Sequence, residues 1–284
     1  MTASNRRQSA GAAARNAQDR QRTDRGEIDM QAEPIALFTE AWKQMTDTLP
    51  SPRNADGDGI STRFADAPNL FFNLWFQNRP AAAEADFRSI LRAGKAAAAS
   101  WHQPSGGIVR ADWAPANWEA ILGEEGLAVA IPMLGMEAAA IAPPPRAPAE
   151  LEIRLVADDP AAMDAAMLNA HAYAMPEEQF ACCGGMHFWP AGSMAFVGYV
   201  GGKPVATAAA RPVGGTIYIA MVATEPAEQG QGYAATVMRH AMAEARKAMG
   251  ELPLTLHATE GGQATYAKMG FAPGPATPLV VPVG

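Results

Sequence analysis

The chain has 284 residues, of which 49% are hydrophobic and 18% charged, and its formal net charge is −7. This composition is typical of one large or two ordinary globular domains and excludes a predominantly disordered chain. The acidic balance argues against broad binding to nucleic acid or anionic membranes, and the sequence contains no apolar run near the roughly 20 residues of a spanning helix.

The segment before residue 34 is rich in Arg, Gln, Ala and Asn and lacks the apolar stretch of a secretory signal. We expect residues 1–33 to form a disordered tail. A transit peptide would share its arginines but not the acidic residues that begin at Asp19. The two cysteines, Cys182 and Cys183, are adjacent, and adjacent cysteines rarely bridge because the disulfide is strained. A cytoplasmic, reducing compartment is therefore expected.

A proline-rich segment over residues 142–150 divides the chain into two halves of similar length. Clustered prolines remove backbone donors and stiffen the chain into an extended linker. We therefore predict an N-terminal α/β domain over residues 34–141 and a second domain over residues 151–284.

The N-terminal half alternates helical and strand patterns without an evident chemical motif. The predicted elements are a helix through Phe38, Trp42 and Met45, a strand over 70–76, a helix over 82–93, a helix from Pro115 and a strand over 127–133. Arg92-Ala-Gly94-Lys-Ala96 is one residue short of a phosphate loop. We interpret Gly94 as the C-terminal cap of the preceding helix.

The C-terminal half has clearer boundaries. The predicted order is a strand over 151–156, a helix from Asp159, strands over 194–200, 205–210 and 216–222, a helix over 233–249, a strand over 252–257, a helix over 263–269 and an apolar run over 279–281. Asp159 is the expected N-cap of the first helix, with Pro160 in its first turn. Gly201-Gly-Lys-Pro204 indicates a hairpin, and Gly261-Gly262 indicate a late start for the last helix.

A glycine-rich loop, Gln229-Gly-Gln-Gly232-Tyr-Ala234-Ala235, precedes the long helix. A helix start with flexible backbone offers unpaired N–H groups and a positive dipole end, which together hold a diphosphate. Gly230-x-Gly232-x-x-Ala235 also satisfies the dinucleotide fingerprint. Against that alternative, residues 224–229 separate the glycine from its strand, Glu251 precedes the next strand instead of ending it, and too little chain follows for a doubly wound sheet.

These residues resemble the GCN5-related N-acetyltransferase (GNAT) superfamily. The segment Gln229-Gly-Gln-Gly232-Tyr-Ala234 is similar to that family's Gln/Arg-x-x-Gly-x-Gly/Ala pyrophosphate loop, and Tyr266-Ala-Lys-Met-Gly-Phe271 is similar to its frequent Tyr-x-x-x-Gly-Phe. The resemblance covers Leu151 to the C-terminus. It implies an α/β (α+β) fold with a mixed, mostly antiparallel central sheet flanked by helices. The N-terminal half is interpreted as a possible degenerate copy without a glycine loop.

The resemblance implies acetyl-CoA as acyl donor. In this fold two neighbouring strands splay apart, so that exposed strand backbone pairs with pantetheine and the loop amides hold the diphosphate. The expected cofactor-binding residues are Met221, Val222, Ala223, Thr224, Gln229, Gly230, Gln231, Gly232, Tyr233, Ala234 and Ala235.

The implied reaction is direct acyl transfer to an amine, without a covalent enzyme intermediate. The backbone N–H of Val222 or a neighbour would polarise the thioester carbonyl. Tyr266 stands where the family often places a tyrosine that protonates the CoA sulfur, and a phenol pKa of about 10 suits that role. Tyr266 as a ring packed beside the cofactor remains the alternative.

The general base stays unassigned. Glu225, Tyr218 and His187 are candidates, and each is also consistent with an ordinary surface or packing role; deprotonation through water needs none of them. The family often carries an Asn early in the helix that leads to Tyr266, whereas this sequence has Thr259 and Gly261-Gly262 there. No cofactor contact is therefore assigned to the start of the helix that leads to Tyr266.

Cys182-Cys-Gly-Gly-Met-His187 offers three potential metal ligands without a second cluster, so we expect a loop over the acceptor site and no metal. The expected partner is a small-molecule or peptide amine, without nucleic acid or membrane, and a homodimer is possible. A non-catalytic CoA-binding regulatory module is the alternative function.

Overall fold

The computed structural model describes residues 33–143 and 148–283, so the predicted tail lies outside the described residues except for Glu33. The elements of the first half are α1 (Pro34–Thr46), β1 (Arg53–Asp56), β2 (Ile60–Phe64), β3 (Asn73–Gln77), α2 (Glu84–Ala99), β4 (Gly106–Ile108), α3 (Trp118–Glu124), β5 (Leu127–Ile131) and β6 (Met133–Ala138). Single 3-10 turns span Leu70–Phe72 and Ala111–Trp113.

The second half continues the alternation. Its elements are β7 (Glu152–Leu155), α4 (Asp159–Ala172), α5 (Glu177–Phe180), β8 (Met194–Val200), β9 (Lys203–Val213), β10 (Thr216–Thr224), α6 (Tyr233–Met249), β11 (Leu254–Thr259), α7 (Glu260–Met269), β12 (Ala272–Ala276) and β13 (Leu279–Pro282). Further 3-10 turns span Ala181–Cys183, Met186–Phe188 and Pro226–Glu228. None of the helices in the described ranges is long and apolar enough to cross a membrane.

The strands form two sheets with the same internal plan. The first has six strands in the order β1-β2-β3-β4-β13-β5, and the second has seven in the order β12-β6-β11-β10-β9-β8-β7. Each contains three consecutive antiparallel strands, a crossover helix and then a parallel strand, namely β1-β2-β3-α2-β4 and β8-β9-β10-α6-β11.

Each sheet also takes one strand from the other half of the chain. Strand β6, which precedes the proline-rich segment, lies between β11 and β12, and the last strand, β13, lies between β4 and β5. The predicted boundary at residues 142–150 therefore separates the chain into halves but does not separate the sheets. The described residues from Pro34 onward form one compact unit.

Gly94 is not the helix cap that the sequence indicated. Helix α2 continues to Ala99, and Gly94 lies inside it. The reason is Trp75: a Cβ atom at Gly94 would lie 2.5 Å from the indole ring, and one at Gly107 on β4 would lie 2.0 Å from it. The two glycines make room for a buried tryptophan between the sheet and α2.

Other boundaries also differ from prediction for local reasons. The predicted strand over 70–76 begins only at Asn73, because the Asn69 side chain accepts a hydrogen bond from the Phe71 N–H and caps a 3-10 turn. Asp158, rather than Asp159, caps α4 by accepting from the Ala161 N–H at 2.9 Å. Helix α7 starts at Glu260 despite its two glycines.

The core of the second sheet has a helix on either face. Helix α6 packs Val237, Met238 and Ala241 on one face, and α4 packs Ala162, Ala165 and Ala166 on the other. Alanines along β9 let both helices approach closely. Helix α1 packs on the same face of the second sheet as α4. It joins that sheet to the first one through Phe38 and Phe76, whose ring centroids lie 5.3 Å apart.

Candidate active site

The strands β10 and β11 separate after a short parallel contact. They pair at Ile217 with Leu254 and at Tyr218 with Thr255, and no register continues beyond these residues. On its other edge β10 is bulged: Ala220 pairs with Ala209 and Ala223 with Thr207, so Met221 and Val222 leave the ladder. Met221 has a φ of +52°, an unusual conformation for a residue with a side chain. The bulge thus places irregular backbone at the opening between the strands.

Helix α6 begins at one end of this opening with an uncapped N-terminus. Gly232 is the N-cap, with a φ of +81° and no side-chain cap, and the first turn carries no acidic residue. Gly230 also has a φ of +81°, and a Cβ atom built at either glycine would meet no atom within 4 Å. The positive φ values favour glycine at both positions, and no other described atom crowds the two residues.

A cleft runs from this loop between α6 and α7 to the end of α4. We call it the interstrand cleft. Its walls are Ala172, Tyr173, Val222, Ala223, Thr224, Gln229, Gly230, Ala234, Ala235, Met238, Thr259, Gly261, Gly262, Thr265 and Tyr266.

The structure brings most of the sequence-predicted site residues into this cleft and leaves a few outside its walls. The predicted residues that line it are Val222, Ala223, Thr224, Gln229, Gly230, Ala234, Ala235 and Tyr266. Met221 lines a neighbouring pocket instead, and Gln231, Gly232 and Tyr233 are not among the lining residues. The Tyr233 side chain is buried and its hydroxyl donates to Glu150 Oε1 at 3.0 Å.

The neighbouring pocket is rich in aromatic residues, and we call it the aromatic pocket. It shares Tyr173, Val222, Thr259 and Tyr266 with the interstrand cleft, so the two spaces meet there. Its other walls include Phe38, Trp42, Met45, Phe71, Phe72, Asn169, Phe180, Tyr218 and His257. The N-terminal half therefore supplies much of this pocket, through α1 and the Leu70–Phe72 turn.

Tyr266 lies where the cleft and the pocket meet. Its position depends on Gly262, one turn earlier in α7, because a Cβ atom there would lie 2.7 Å from Tyr266 Cε2. Burial, with a smaller contribution from Tyr173, raises the pKa of Tyr266 well above its ordinary value. The phenol is therefore protonated throughout the neutral range and has a proton to donate, but the raised pKa makes it a weaker acid than the phenol of pKa about 10 expected from the sequence.

Tyr218, a base candidate in the sequence, forms a buried pair with His257. The Tyr218 hydroxyl lies 2.9 Å from His257 Nδ1, and the Phe38 ring stacks on the imidazole with centroids 4.0 Å apart. Burial lowers the pKa of His257 to about 3 and raises that of Tyr218. Both groups are neutral near pH 7 and poor proton acceptors, so the pair lines the aromatic pocket as fixed polar groups.

Glu225, the second candidate, binds a histidine instead of facing the cleft. Glu225 Oε2 lies 2.8 Å from His171 Nδ1, and Glu177 Oε1 lies 3.0 Å from His171 Nε2. The two carboxylates, Glu177 more strongly, raise the pKa of His171. This contact ties the end of α4 to the segment after β10. The third candidate, His187, is exposed, with Nε2 3.0 Å from the Cys182 carbonyl oxygen.

Sequence reasoning missed the part of the site contributed by α4. Tyr173, at the C-terminal end of α4, lines both the cleft and the pocket, and its ring lies 5.5 Å from that of Phe71. No local motif marks it, because its place depends on packing between α4 and the N-terminal half. Across the described parts of the chain, no three His, Cys, Asp or Glu side chains cluster as metal ligands would.

Comparison with known proteins identifies the family of the second half. The family model of the Acetyltransferase (GNAT) family matches residues 163–271, which include β8–β11, the glycine loop and Tyr266. No curated protein matches the sequence.

Solved structures resemble nearly the whole chain. A GCN5-related N-acetyltransferase from Kribbella flavida superposes with a TM-score of 0.65 at 20% identity, covering 87% of this chain and 95% of that chain. A GCN5-related N-acetyltransferase from Sphaerobacter thermophilus has a TM-score of 0.57 at 13% identity, covering 79% of this chain and 77% of that chain. A tandem GNAT protein from the clavulanic acid biosynthesis pathway has a TM-score of 0.51 at 11% identity, covering 89% and 95%.

The protein therefore contains a domain of the GNAT acetyltransferase family, at residues 163–271. Its fold is the predicted one, with mostly antiparallel mixed sheets flanked by helices. Family and fold support acyl-CoA-dependent acyltransferase activity, and the family generally uses acetyl-CoA.

Proposed function

We propose that the protein transfers an acyl group, most simply acetyl, from acyl-CoA to an amine of a small molecule or peptide by direct attack, and that it does so in the cytoplasm. The observation that carries this proposal is the junction at Val222 and Tyr266, where the interstrand cleft meets the aromatic pocket. A donor in the cleft and an acceptor in the pocket would meet at these two residues.

The residues of the cleft suit the two ends of acyl-CoA differently. The amides of the Gly230–Ala235 segment and the start of α6 present N–H donors to a diphosphate, with no acidic residue in that first turn to repel it. The backbone of Val222 to Thr224 lies along the cleft wall, where it can pair with the amides of pantetheine as a strand would.

The chemistry needs three contributions, and the chain offers two. The bulged backbone at Val222 supplies an N–H donor to the thioester oxygen, whose negative charge grows as the amine attacks. A C–N bond forms, the C–S bond breaks, and Tyr266 donates its proton to the departing sulfur. The amine loses its proton to water, because Tyr218 and His257 are neutral and poor bases.

We further propose that the N-terminal half is a degenerate copy of the same fold that shapes the acceptor site. The matching order of strands and crossover helix in the two sheets supports a duplication. The contribution of α1 and the Leu70–Phe72 turn to the aromatic pocket supports the role in acceptor binding.

The test combines calorimetry with acetyl-CoA and an assay of CoA release on a panel of amines. Gly232→Leu places a side chain at a φ of +81° in front of the α6 N-terminus, and we expect it to abolish both binding and turnover. Gly250→Leu is the matched control, because Gly250 has a φ of +91° at the other end of the same helix.

Equal loss in both variants would mean that strain alone is responsible. Unchanged binding in Gly232→Leu would refute the assigned diphosphate site. Binding of acetyl-CoA without turnover on any amine would favour the non-catalytic CoA-binding module instead.

A further inference from the structure

Arg211 on β9 is a buried arginine whose side chain has no hydrogen-bond partner in the part of the chain that the structure describes. Its exposure is 0%, and Nε, Nη1 and Nη2 all lack a partner among the described residues. A guanidinium carries five N–H donors, and a buried donor without an acceptor destabilises the fold. The side chain is therefore built for a group that supplies acceptors.

No charged side chain among the described residues balances this guanidinium. Burial lowers the pKa of Arg211 to about 10, so the group is still positive near neutral pH. The ionisable neighbours that influence it are Cys183 and Tyr218, and burial raises the pKa of both. Neither is negatively charged near pH 7, which leaves a desolvated cation without a counterion.

The chain treats its other buried arginines differently. Arg63, 4% exposed, lies 2.6 Å from Asp56 Oδ1, and Arg110, 7% exposed, lies 2.7 Å from Asp112 Oδ1. Each is paired with a carboxylate, as expected when charge is buried. The contrast suggests that the carboxylate for Arg211 comes from outside the described chain.

Two further orphaned polar groups lie beside Arg211. Trp189 Nε1 and Ser193 Oγ are buried and lack hydrogen-bond partners among the described residues. The Trp189 ring centroid lies 5.9 Å from Arg211 Cζ. Met194 pairs with Ala210, so continuation of the antiparallel register puts Ser193 opposite Arg211. Three buried side chains with unpaired polar atoms therefore lie near one another.

We propose that Arg211, Trp189 and Ser193 form a binding site for a small monocarboxylate. A carboxylate is planar and presents two oxygens at the spacing of the guanidinium fork. Its single negative charge balances the single positive charge, whereas a phosphate dianion would leave one charge uncompensated in a buried site.

Arg211, Trp189 and Ser193 do not line the aromatic pocket, but two residues next to this site connect it to the pocket walls. Arg211 is the register partner of Tyr218, which lines that pocket. Phe188, whose ring centroid is 5.8 Å from Arg211 Cζ, packs 5.7 Å from the ring of Phe72, another lining residue. The carboxylate can therefore belong to the acceptor amine or to a free anion. The first source rests on the proposed function; the second does not.

The first arm measures thermal stability in sodium acetate against sodium chloride at equal ionic strength. The wild-type Tm is expected to rise saturably with acetate, by about 5 °C at 100 times the Kd. Arg211→Met should not respond, and Arg63→Met should respond as wild type does. Ser193→Ala keeps the test decisive if Arg211→Met fails to fold, since it should weaken acetate binding several-fold. A wild-type Tm that acetate leaves unchanged overturns a free-anion site.

The second arm compares phenylalanine with phenethylamine, which differ as acceptors only in the carboxylate. If the acceptor supplies the carboxylate, kcat/KM should favour phenylalanine by about 10-fold or more, acetate should compete with it, and Arg211→Met should remove the preference. If a free anion is bound, the two amines react alike while acetate still raises the Tm. The site is refuted if acetate leaves the Tm unchanged and the enzyme also shows no preference for the amine that carries a carboxylate. Because the thermal arm needs no turnover, failure of the acyltransferase proposal is distinguishable.

Discussion

The two crossover units of this protein, β3-α2-β4 and β10-α6-β11, share a plan but differ in what lies between their parallel strands. In the first unit Trp75 fills the space against Gly94 and Gly107, and the strands pair at three consecutive positions. In the second unit the strands pair at two positions and then part around a cleft. The same topology therefore yields a packed core in one half and an open site in the other.

The starts of the two crossover helices differ in charge. The first turn of α2 carries Glu84 and Asp86, and Asp86 Oδ2 accepts from the Ala82 N–H at 2.8 Å and binds Arg79 Nη1 at 2.7 Å. Arg79, together with that N–H, lowers the pKa of Asp86 to about 2. The α2 N-terminus thus already holds its own anion. The α6 N-terminus has neither an acidic residue nor a side-chain cap.

The helix that follows each unit completes the contrast. Two ion pairs join the end of α3 to α2. Arg88 Nη2 lies 2.5 Å from Glu124 Oε2, and Arg92 Nη2 lies 2.7 Å from Glu125 Oε1. Between α6 and α7, the residues Met238, Thr265 and Tyr266 face an open cleft instead. A small number of side chains therefore decides which of the two units is closed and which has an open cleft.

The largest expected effect is on the filled unit. Trp75→Ala removes a side chain that is 1% exposed, and we expect it to lower the free energy of unfolding by about 3–5 kcal/mol. Acetyl-CoA binding should stay unchanged at temperatures where the variant is folded, because the cleft belongs to the other sheet. Denaturant unfolding and calorimetry measure the two quantities.

Trp118→Ala, at the half-buried start of α3, is the matched tryptophan control. It should lower the free energy of unfolding clearly less than Trp75→Ala does. If Trp75→Ala weakened acetyl-CoA binding in the folded protein, the packing of the first unit and the cleft of the second would not be independent.

The second prediction transfers the charge of the first helix start to the second. Ala235 is the third residue of α6, as Asp86 is the third of α2. A carboxylate about 4 Å from a phosphate at an effective dielectric of about 20 costs about 4 kcal/mol. Ala235→Asp is therefore expected to raise the acetyl-CoA Kd at least about 100-fold, while α6 remains helical.

Ala235→Asn has nearly the same size without the charge and should raise the Kd far less. Calorimetry on both variants separates charge from bulk. An Ala235→Asp variant that binds acetyl-CoA within threefold of wild type would show that the diphosphate does not lie at this helix start.

The third prediction concerns the open gap between α6 and α7. Tyr266→Phe removes the proposed proton donor, so kcat should fall by about 100-fold with little change in acetyl-CoA binding. Because burial raises the pKa of Tyr266, wild-type kcat should show no loss from phenol ionisation until well above pH 10.

Tyr173→Phe is the control, since Tyr173 lines the same junction from α4. Steady-state kinetics that showed the large loss in Tyr173→Phe and none in Tyr266→Phe would exchange the roles of the two tyrosines.

The glycine loop could be predicted from sequence because its signal is local. Gly230 and Gly232 take positive φ within a few residues of one another, and the helix after them is amphipathic to its last residue before Gly250. The Tyr-x-x-x-Gly-Phe segment is equally local: Gly270, with a φ of +103°, ends α7. Local rules of backbone conformation determine both features.

The rest depends on distant contacts that no local pattern carries. The exchange of β6 and β13 pairs residues more than a hundred positions apart. The apolar run around Pro132 predicts one strand, but Pro132 divides it into β5 and β6, which belong to different sheets. Gly94 follows the rule for a helix cap, yet the contact with Trp75 explains it better. Tyr173 reaches the site only because α4 packs beside the Leu70–Phe72 turn.

The smallest expected effect is a pH dependence of stability that distinguishes the ion pairs of the two units. One set joins α2 to α3, and the other joins α4 to the segment after β10. The α2–α3 bridge uses arginines and stays charged across the neutral range, whereas the α4–β10 contact uses His171.

A raised folded-state pKa means that His171 stabilises the fold fully below its ordinary value of about 6.5 and less as pH rises through the folded-state value. For a half-exposed pair we expect about 0.5 kcal/mol. Thermal unfolding from pH 5 to 9 should therefore show a small decline that His171→Gln removes and Glu177→Gln reduces. A decline that persists in His171→Gln would assign it to another group and leave both bridges insensitive to pH.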